Sequence, residues 1–147
     1  MLRLVDAAGT PIAPVVGVTG ETHRVLVGLT VAGRLANVWA HATFFEGTTA
    51  PVAYYTGPNC TGSAYIRSEP PASVFPPTVV INFNNTQIVA VPDNTVAPVN
   101  LTIESQITNG GCQATPGNTV THLYPILGTL DLGTIGQGPF RVVRSQP

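Results

Sequence analysis

Short runs of apolar residues, separated by glycine, proline and asparagine, make up most of this chain. The run at residues 24–31 is rich in β-branched side chains and is followed, across Ala32-Gly33-Arg34, by another run at residues 35–40. Such side chains favour extended backbone, and glycine fits the tight position of a hairpin turn. This pattern predicts a β-hairpin.

A second hairpin is predicted around Asn84-Asn85. Apolar side chains dominate residues 78–83 and 86–91 on either side of this pair. Asparagine tolerates the left-handed backbone that a two-residue turn requires, so the pair suits the turn itself.

The rest of the chain also favours short strands. Residues 101–107 alternate apolar and polar side chains, which predicts a strand with one buried face. No segment shows the three- and four-residue apolar spacing of a long helix. The proline-rich residues 70–77 cannot continue a central strand and predict a crossover. Further strands are predicted at residues 2–5, 15–18, 52–56, 63–67, 120–126, 130–132 and 140–143.

About ten short strands with turns at close intervals predict an all-β fold, a β-sandwich or a barrel. The chain has 147 residues, which is the size of one domain with its own core. No composition shift marks a boundary, so we expect a single domain over residues 1–147.

Charge is sparse in this sequence. Charged residues make up 9% of the chain, all six basic residues are arginine, and the net charge is −1. A phosphate backbone is bound by many cations at once, so this composition excludes nucleic-acid binding. Because the chain carries so little charge, electrostatic repulsion between copies opposes self-association only weakly, which favours a homo-oligomer. The absence of lysine is equally explained by a GC-rich genome.

No apolar run is long enough to cross a bilayer, so we expect no membrane span. Residues 1–6 lack the charged leader and apolar core of a signal peptide. Removal of a native leader, origin as a piece of a longer chain and export by another route all remain open.

The two cysteines, Cys60 and Cys112, lie in turn-rich polar surroundings. A zinc site needs about four closely spaced ligands, and a redox pair is expected as Cys-x-x-Cys; neither pattern is present. We expect a structural disulfide between them, with two unrelated free thiols as the alternative.

Three segments carry a resemblance to a known group of proteins. They are Leu4-Val5-Asp6-Ala7-Ala8-Gly9, the stretch from Tyr54-Tyr55-Thr56 through Cys60-Thr61-Gly62 to Tyr65-Ile66, and the second cysteine near the last strands. Together they resemble an uncharacterised C-terminal β domain of bacterial secreted proteins that carry collagen-like or tail-fibre-like stalks. The resemblance implies an extracellular or cell-surface module that is a homo-oligomer, with a trimer as one candidate state. The chain departs from the stalked members because it has no Gly-X-Y repeat.

Candidate catalytic residues are few. The chain has no Gly-x-Ser-x-Gly elbow, no His-Glu-x-x-His and no phosphate-cradling loop. If folding gathered His23, His41 and His122 with a carboxylate, they could hold a metal whose bound water attacks an ester or lactone. Surface or structural roles for the three histidines are the alternative.

Carboxylates in turns are candidate ligands for calcium or another divalent metal. Asp93 follows a proline, Asp131 precedes a glycine-rich turn, and Asp6 has a similar setting. The alternative is that each carboxylate binds the backbone of its own turn.

Aromatic side chains offer a third kind of site. Trp39, Tyr54 and Tyr55, with Tyr65 and Tyr124, could form a platform for the apolar faces of sugar rings. Because Tyr54 and Tyr55 are adjacent on a predicted strand, they should point to opposite faces. For Trp39 the alternative is packing in the core.

Three functions follow from these observations. The leading hypothesis is an extracellular β domain that displays loops for adhesion or carbohydrate recognition, without a cofactor. The second is a small metal-dependent hydrolase acting on an ester or lactone. The third is a structural part of a fibre or virion.

Overall fold

A computed structural model describes residues 1–20, 23–68 and 76–144 of the chain. These residues form twelve β-strands and two short 3-10 turns, at Pro58–Cys60 and Leu132–Thr134. The strands are β1 (Leu2–Val5), β2 (Pro11–Val18), β3 (Val25–Val31), β4 (Arg34–Ala40), β5 (Phe45–Glu46), β6 (Ala53–Tyr55), β7 (Ala64–Arg67), β8 (Val79–Phe83), β9 (Thr86–Pro92), β10 (Val99–Thr108), β11 (Gly111–Asp131) and β12 (Arg141–Arg144).

The strands form two antiparallel sheets of six. The first has the order β12-β1-β2-β3-β4-β5, and the second has the order β10-β6-β7-β11-β9-β8. The second sheet also pairs β10 directly with β11. The predicted all-β sandwich is therefore confirmed.

Both predicted hairpin turns are present. Ala32 and Gly33 (φ 51° and 77°) connect β3 to β4, and Asn84 and Asn85 (φ 52° and 60°) connect β8 to β9. Two successive left-handed residues are the signature of the type I′ turn, whose twist matches that of the strands it joins.

Apolar side chains from both sheets form the main core. The inward residues of the first sheet include Val27, Val38 and Phe45, and those of the second include Val80 and Val89; all five are at most 2% exposed. A smaller cluster lies within the second sheet around Ile66, Val79, Ile81 and Ala90.

A threonine with no exposed surface ties the two sheets together. Thr78, just before β8, donates its hydroxyl to the carbonyl of Asn37 in β4 (2.7 Å). The backbone N–H of Thr48 donates to the Thr78 hydroxyl (3.0 Å), and the N–H of Thr78 donates back to the Thr48 hydroxyl (3.0 Å). Each of these polar groups thereby gains a partner inside the protein.

Strand β11 differs from the prediction. It runs without interruption for 21 residues, where separate short strands were expected at 120–126 and 130–132. It pairs with β10 over its first half, with β7 at 123–125 and with β9 from 126 onward. Because its partners change along its length, so does its pattern of buried positions, and no single alternation marks it as one strand.

Three further features bear on the sequence-based predictions. Cys112 lies at the start of β11 rather than in a loop, and β5 was not anticipated. The predicted crossover at 70–77 lies outside the described residues except for its last two positions. Within the described ranges, no helix has the length and apolar character needed to span a membrane.

Candidate functional site

The structure brings together two of the three candidate histidines. His23 precedes β3 and His41 follows β4, and their ring centroids are 5.5 Å apart. The ring of Phe44 stacks on His41 with centroids 4.0 Å apart. His122 lies in β11 of the second sheet, where its backbone N–H donates to the side-chain oxygen of Asn100 (3.2 Å).

An ion-pair cluster surrounds His41 on the outer face of the first sheet. The Glu46 carboxylate is hydrogen bonded to Nε2 of His41, and it lies 3.7 Å from a guanidinium nitrogen of Arg24. The guanidinium carbon of Arg24 is 4.2 Å from the centroid of the Trp39 ring. Trp39 is half-buried and points away from the core, so it does not pack inside the sandwich.

This cluster contains an acid–base pair but lacks other parts of a hydrolytic site. The described residues that line the groove beside it are His23, Arg24, His41 and Arg141 together with apolar side chains, and none of them is a serine, threonine or cysteine. Among the residues that the structure describes, no group of three or more histidine, cysteine or acidic side chains could hold a metal ion.

The candidate calcium ligands accept hydrogen bonds from backbone and side-chain groups of their own turns. Asp6 accepts hydrogen bonds from the N–H groups of Ala8 and Thr10, and Asp131 accepts one from Gly133 (2.8 Å). Asp93 accepts from both the N–H and the hydroxyl of Thr95, and these bonds lower the pKa of its carboxyl below the ordinary value. The arrangement matches the turn role given above as the alternative for these residues.

The predicted aromatic platform is distributed over two sheets. Trp39 lies in the first sheet, whereas Tyr54 and Tyr55 lie in β6 of the second. Tyr54 faces Tyr65 across the β6–β7 pair, while Tyr55 lines an apolar cavity. The sequence-predicted ligand residues therefore form at least two separate surfaces.

The predicted disulfide is present between Cys60 and Cys112, with Cα atoms 6.0 Å apart. Ser105, which has no exposed surface, holds the first cysteine loop against β10. Its hydroxyl accepts from the N–H of Cys60 (2.8 Å) and donates to the carbonyl of Gly57 (2.6 Å). The 3-10 turn that carries Cys60 is thus fixed by one covalent bond and two hydrogen bonds.

A cleft, hereafter the polar cleft, is formed where three connecting segments meet. It has a volume of about 360 Å³. One wall comes from the β8–β9 hairpin, one from Thr43 between β4 and β5, and one from the segment that follows β11. Its lining residues are Thr43, Phe45, Asn85, Thr86, Gln87, Asp131, Leu132, Gly133, Thr134, Gly136, Gln137, Gly138 and Phe140.

Internal hydrogen bonds orient the polar side chains of this cleft. The side-chain oxygen of Gln87 accepts from the N–H of Phe45 (2.8 Å), so its amide nitrogen remains a donor. The amide nitrogen of Gln137 donates to the carbonyl of Gly133 (3.3 Å), so its oxygen remains an acceptor. The cleft therefore presents fixed donors and acceptors, and Asp131 is the one charged side chain among the described residues that line it.

Sequence reasoning singled out only Asp131 among the residues of the polar cleft. The signals were present but separate: the Asn84-Asn85 turn and the glycine-rich stretch after β11 lie far apart in sequence. The β9–β11 register, in which Asp131 pairs with Ile88, brings them together. Without that register no local pattern joins the two loops.

Comparison of the chain with protein-family models, with curated proteins and with solved structures finds no match.

Proposed function

We propose that this protein is an extracellular recognition domain that binds a carbohydrate in the polar cleft. The observation that carries the proposal is the lining of that cleft: neutral amide and hydroxyl side chains, with one carboxylate and an aromatic ring. Sugars are rich in hydroxyl groups that donate and accept at once, and planar amides and carboxylates satisfy them in pairs. Binding sites with a few oriented polar groups gain specificity in this way.

The aromatic part of the cleft supports the same ligand class. Phe140 is half-buried, and its ring centroid lies 5.0 Å from that of the buried Phe45. Phe140 is thereby held in place at the edge of a polar surface. An aromatic ring in this position offers a face for the C–H groups of a sugar.

The disulfide supports an extracellular location, because such bonds persist in oxidising compartments. The resemblance to secreted β domains points the same way. The metal-dependent hydrolase is less favoured, since His122 lies in a different sheet from His23 and His41, and the candidate aspartates bind their own turns.

Self-association is the second part of the proposal. Val16 and Leu35, 50% and 56% exposed, converge over Gly28 on the outer face of the first sheet. A Cβ atom at Gly28 would lie 3.2 Å from Leu35 and 3.5 Å from Val16. This apolar patch is a surface on which a second copy can pack.

A glycan array followed by calorimetry tests the carbohydrate. We expect binding to at least one neutral glycan, and Asn85→Gly should weaken it by about fivefold because it removes one hydrogen-bonding group. Glycine keeps the left-handed turn, so the hairpin is preserved. Asn118→Ala, at an exposed position of β11, is the control and should bind as the unaltered protein does.

Absence of binding to every glycan on the array would overturn the carbohydrate assignment. Retained binding in Asn85→Gly would move the site away from the polar cleft. Light scattering tests self-association separately. Leu35→Ser should lower the mass of the oligomer, and a monomeric unaltered protein would contradict the proposed self-association.

A further inference from the structure

A second cavity, hereafter the apolar cavity, lies within the second sheet and is distinct in chemistry from the polar cleft. Its volume is about 240 Å³. Its walls are mainly aliphatic and come from β6, β8, β9, β10 and β11. The aliphatic residues are Ala53, Ile81, Ile88, Ala90, Ile107 and Ile126.

The cavity is too large to be an ordinary packing defect. Protein interiors are close-packed, with few voids larger than a water molecule. An apolar cavity of about 150 Å³ takes up benzene, which has about six carbon atoms. By that comparison the apolar cavity has room for about nine or ten carbon atoms, which accommodates a chain of about eight.

Among the described residues, three hydrogen-bonding side chains line the cavity at separate positions. Tyr55, Thr86 and Thr129 are its lining residues with hydrogen-bonding side chains. Thr86 and Thr129 are exposed, so these hydroxyls lie towards solvent. Thr86 also lines the polar cleft, which places the two sites side by side.

The position of Phe83 at this cavity is fixed by a glycine. Phe83 lines the cavity while remaining 40% exposed. A Cβ atom at Gly111 would lie 2.9 Å from its ring, so the ring packs directly on the glycine backbone. Gly111 has a φ of 97° and precedes the disulfide-bonded Cys112, which anchors this contact.

We propose that the apolar cavity binds a medium-length alkyl or acyl chain of about eight carbon atoms. The aliphatic walls match a flexible chain, which adapts to an irregular volume and gains free energy with each buried methylene. The polar end of such a molecule lies against the exposed Thr86, at the end of the cavity that adjoins the polar cleft. This site goes beyond the proposed carbohydrate recognition, and its test needs no sugar.

Isoleucine methyl resonances report on the cavity directly. Four of the eight isoleucines line it, and Ile12, Ile66, Ile103 and Ile135 do not. In a titration of methyl-labelled protein with linear alcohols, we expect the four lining resonances to shift. Affinity should rise roughly threefold per added methylene up to about eight carbons, because each one is removed from water.

Filling the cavity gives the matched test. Ala90, which is 5% exposed, lines the cavity, and Ala90→Leu should abolish octanol binding. If that variant does not fold, Thr129→Leu at the exposed side should weaken octanol binding at least tenfold. Val18→Ala, at an exposed position of the first sheet, should leave it unchanged.

Four results would overturn the assignment. The first is equal shifts at Ile12 and Ile135, and the second is unaltered octanol binding in the folded Ala90→Leu protein. Another is tighter binding of toluene than of octanol, which would indicate an aromatic rather than an alkyl occupant. The last is movement of the lining resonances with protein concentration alone, which would assign the cavity to a second copy of the chain.

Discussion

The guanidinium of Arg24 stacks over the ring of Trp39, 4.2 Å from the centroid, on the outer face of the first sheet. Trp39 is the only tryptophan in the chain, so its fluorescence reports on this contact alone. The same arginine lies 3.7 Å from Glu46, which is hydrogen bonded to His41. Arg24 therefore joins the aromatic ring to the acid–base pair.

Removal of this contact should be measurable. Arg24→Ala is expected to lower the free energy of unfolding by about 0.5–1 kcal/mol, the usual size of an exposed cation–π interaction. Tryptophan emission should shift to longer wavelength as water reaches the ring. Arg144→Ala, at an exposed position of β12, is the control; an equal loss in both variants would contradict a specific role for the stacking.

Reduction of the disulfide should destabilise the fold strongly. Cys60 and Cys112 are 52 residues apart, and opening a loop of that length costs about 4 kcal/mol in the chain-entropy model. Urea unfolding with and without reductant measures this difference. A Cys60→Ser/Cys112→Ser protein should have the same free energy of unfolding as the reduced protein, with or without reductant. Coincident urea unfolding curves for the oxidised and reduced protein would contradict the prediction.

Acidification should weaken the turn at Asp93. Hydrogen bonds from Thr95 lower the pKa of the Asp93 carboxyl below its ordinary value of 3.8. Because the folded pKa is the lower one, the carboxylate stabilises the fold above that ordinary value, and this stabilisation is lost as pH falls through the folded pKa. In Asp93→Asn, stability should fall less on acidification.

A direct measurement complements that comparison. In an NMR titration, Thr95→Val should raise the pKa of the Asp93 carboxyl towards its ordinary value, because the hydroxyl donor is removed. An unchanged titration midpoint in this variant would show that the hydroxyl is not responsible for the shift.

Thr78→Val should be costly although the two side chains have similar shapes. The substitution removes the hydroxyl that bonds the carbonyl of Asn37 and the N–H of Thr48. Leaving such groups unpaired in the interior costs about 1–3 kcal/mol. Chemical denaturation measures the loss, and Thr30→Val, at an exposed site on β3, should be nearly neutral.

Two glycine-to-alanine substitutions should differ in their effect on the stability of the fold. Among the residues that the structure describes, none has an atom within 4 Å of a Cβ atom placed at Gly33 or at Gly20, so neither substitution causes a clash with them. Gly33 has a φ of 77°, and an alanine there should cost about 1–2 kcal/mol. Gly20 has no such restriction, so Gly20→Ala should be neutral or stabilising. Equal thermal melting of the two variants would contradict this account.

The parts of the fold that sequence predicted are those with local signals. The hairpins at Ala32-Gly33 and Asn84-Asn85 each combine apolar runs with residues that tolerate left-handed backbone, and this combination has few other solutions. The disulfide was expected because the composition offered no other role for Cys60 and Cys112.

Features that depend on register were not predictable in the same way. In β4, Leu35 and Trp39 point outward while Ala36, Val38 and Ala40 point inward, so apolar residues occur on both faces. Alternation alone therefore could not place Trp39 on the surface. The polar cleft depends on pairing between distant segments, so the local signals of its two loops did not indicate a common site.

Strand β11 also determines when the domain can form. It supplies neighbours to β7, β9 and β10, while β1 pairs with β12 near the other end of the chain. A ribosome must therefore synthesise nearly the whole domain before either sheet has all its strands. Contacts so distant in sequence slow folding, so the chain stays unfolded for some time after its synthesis.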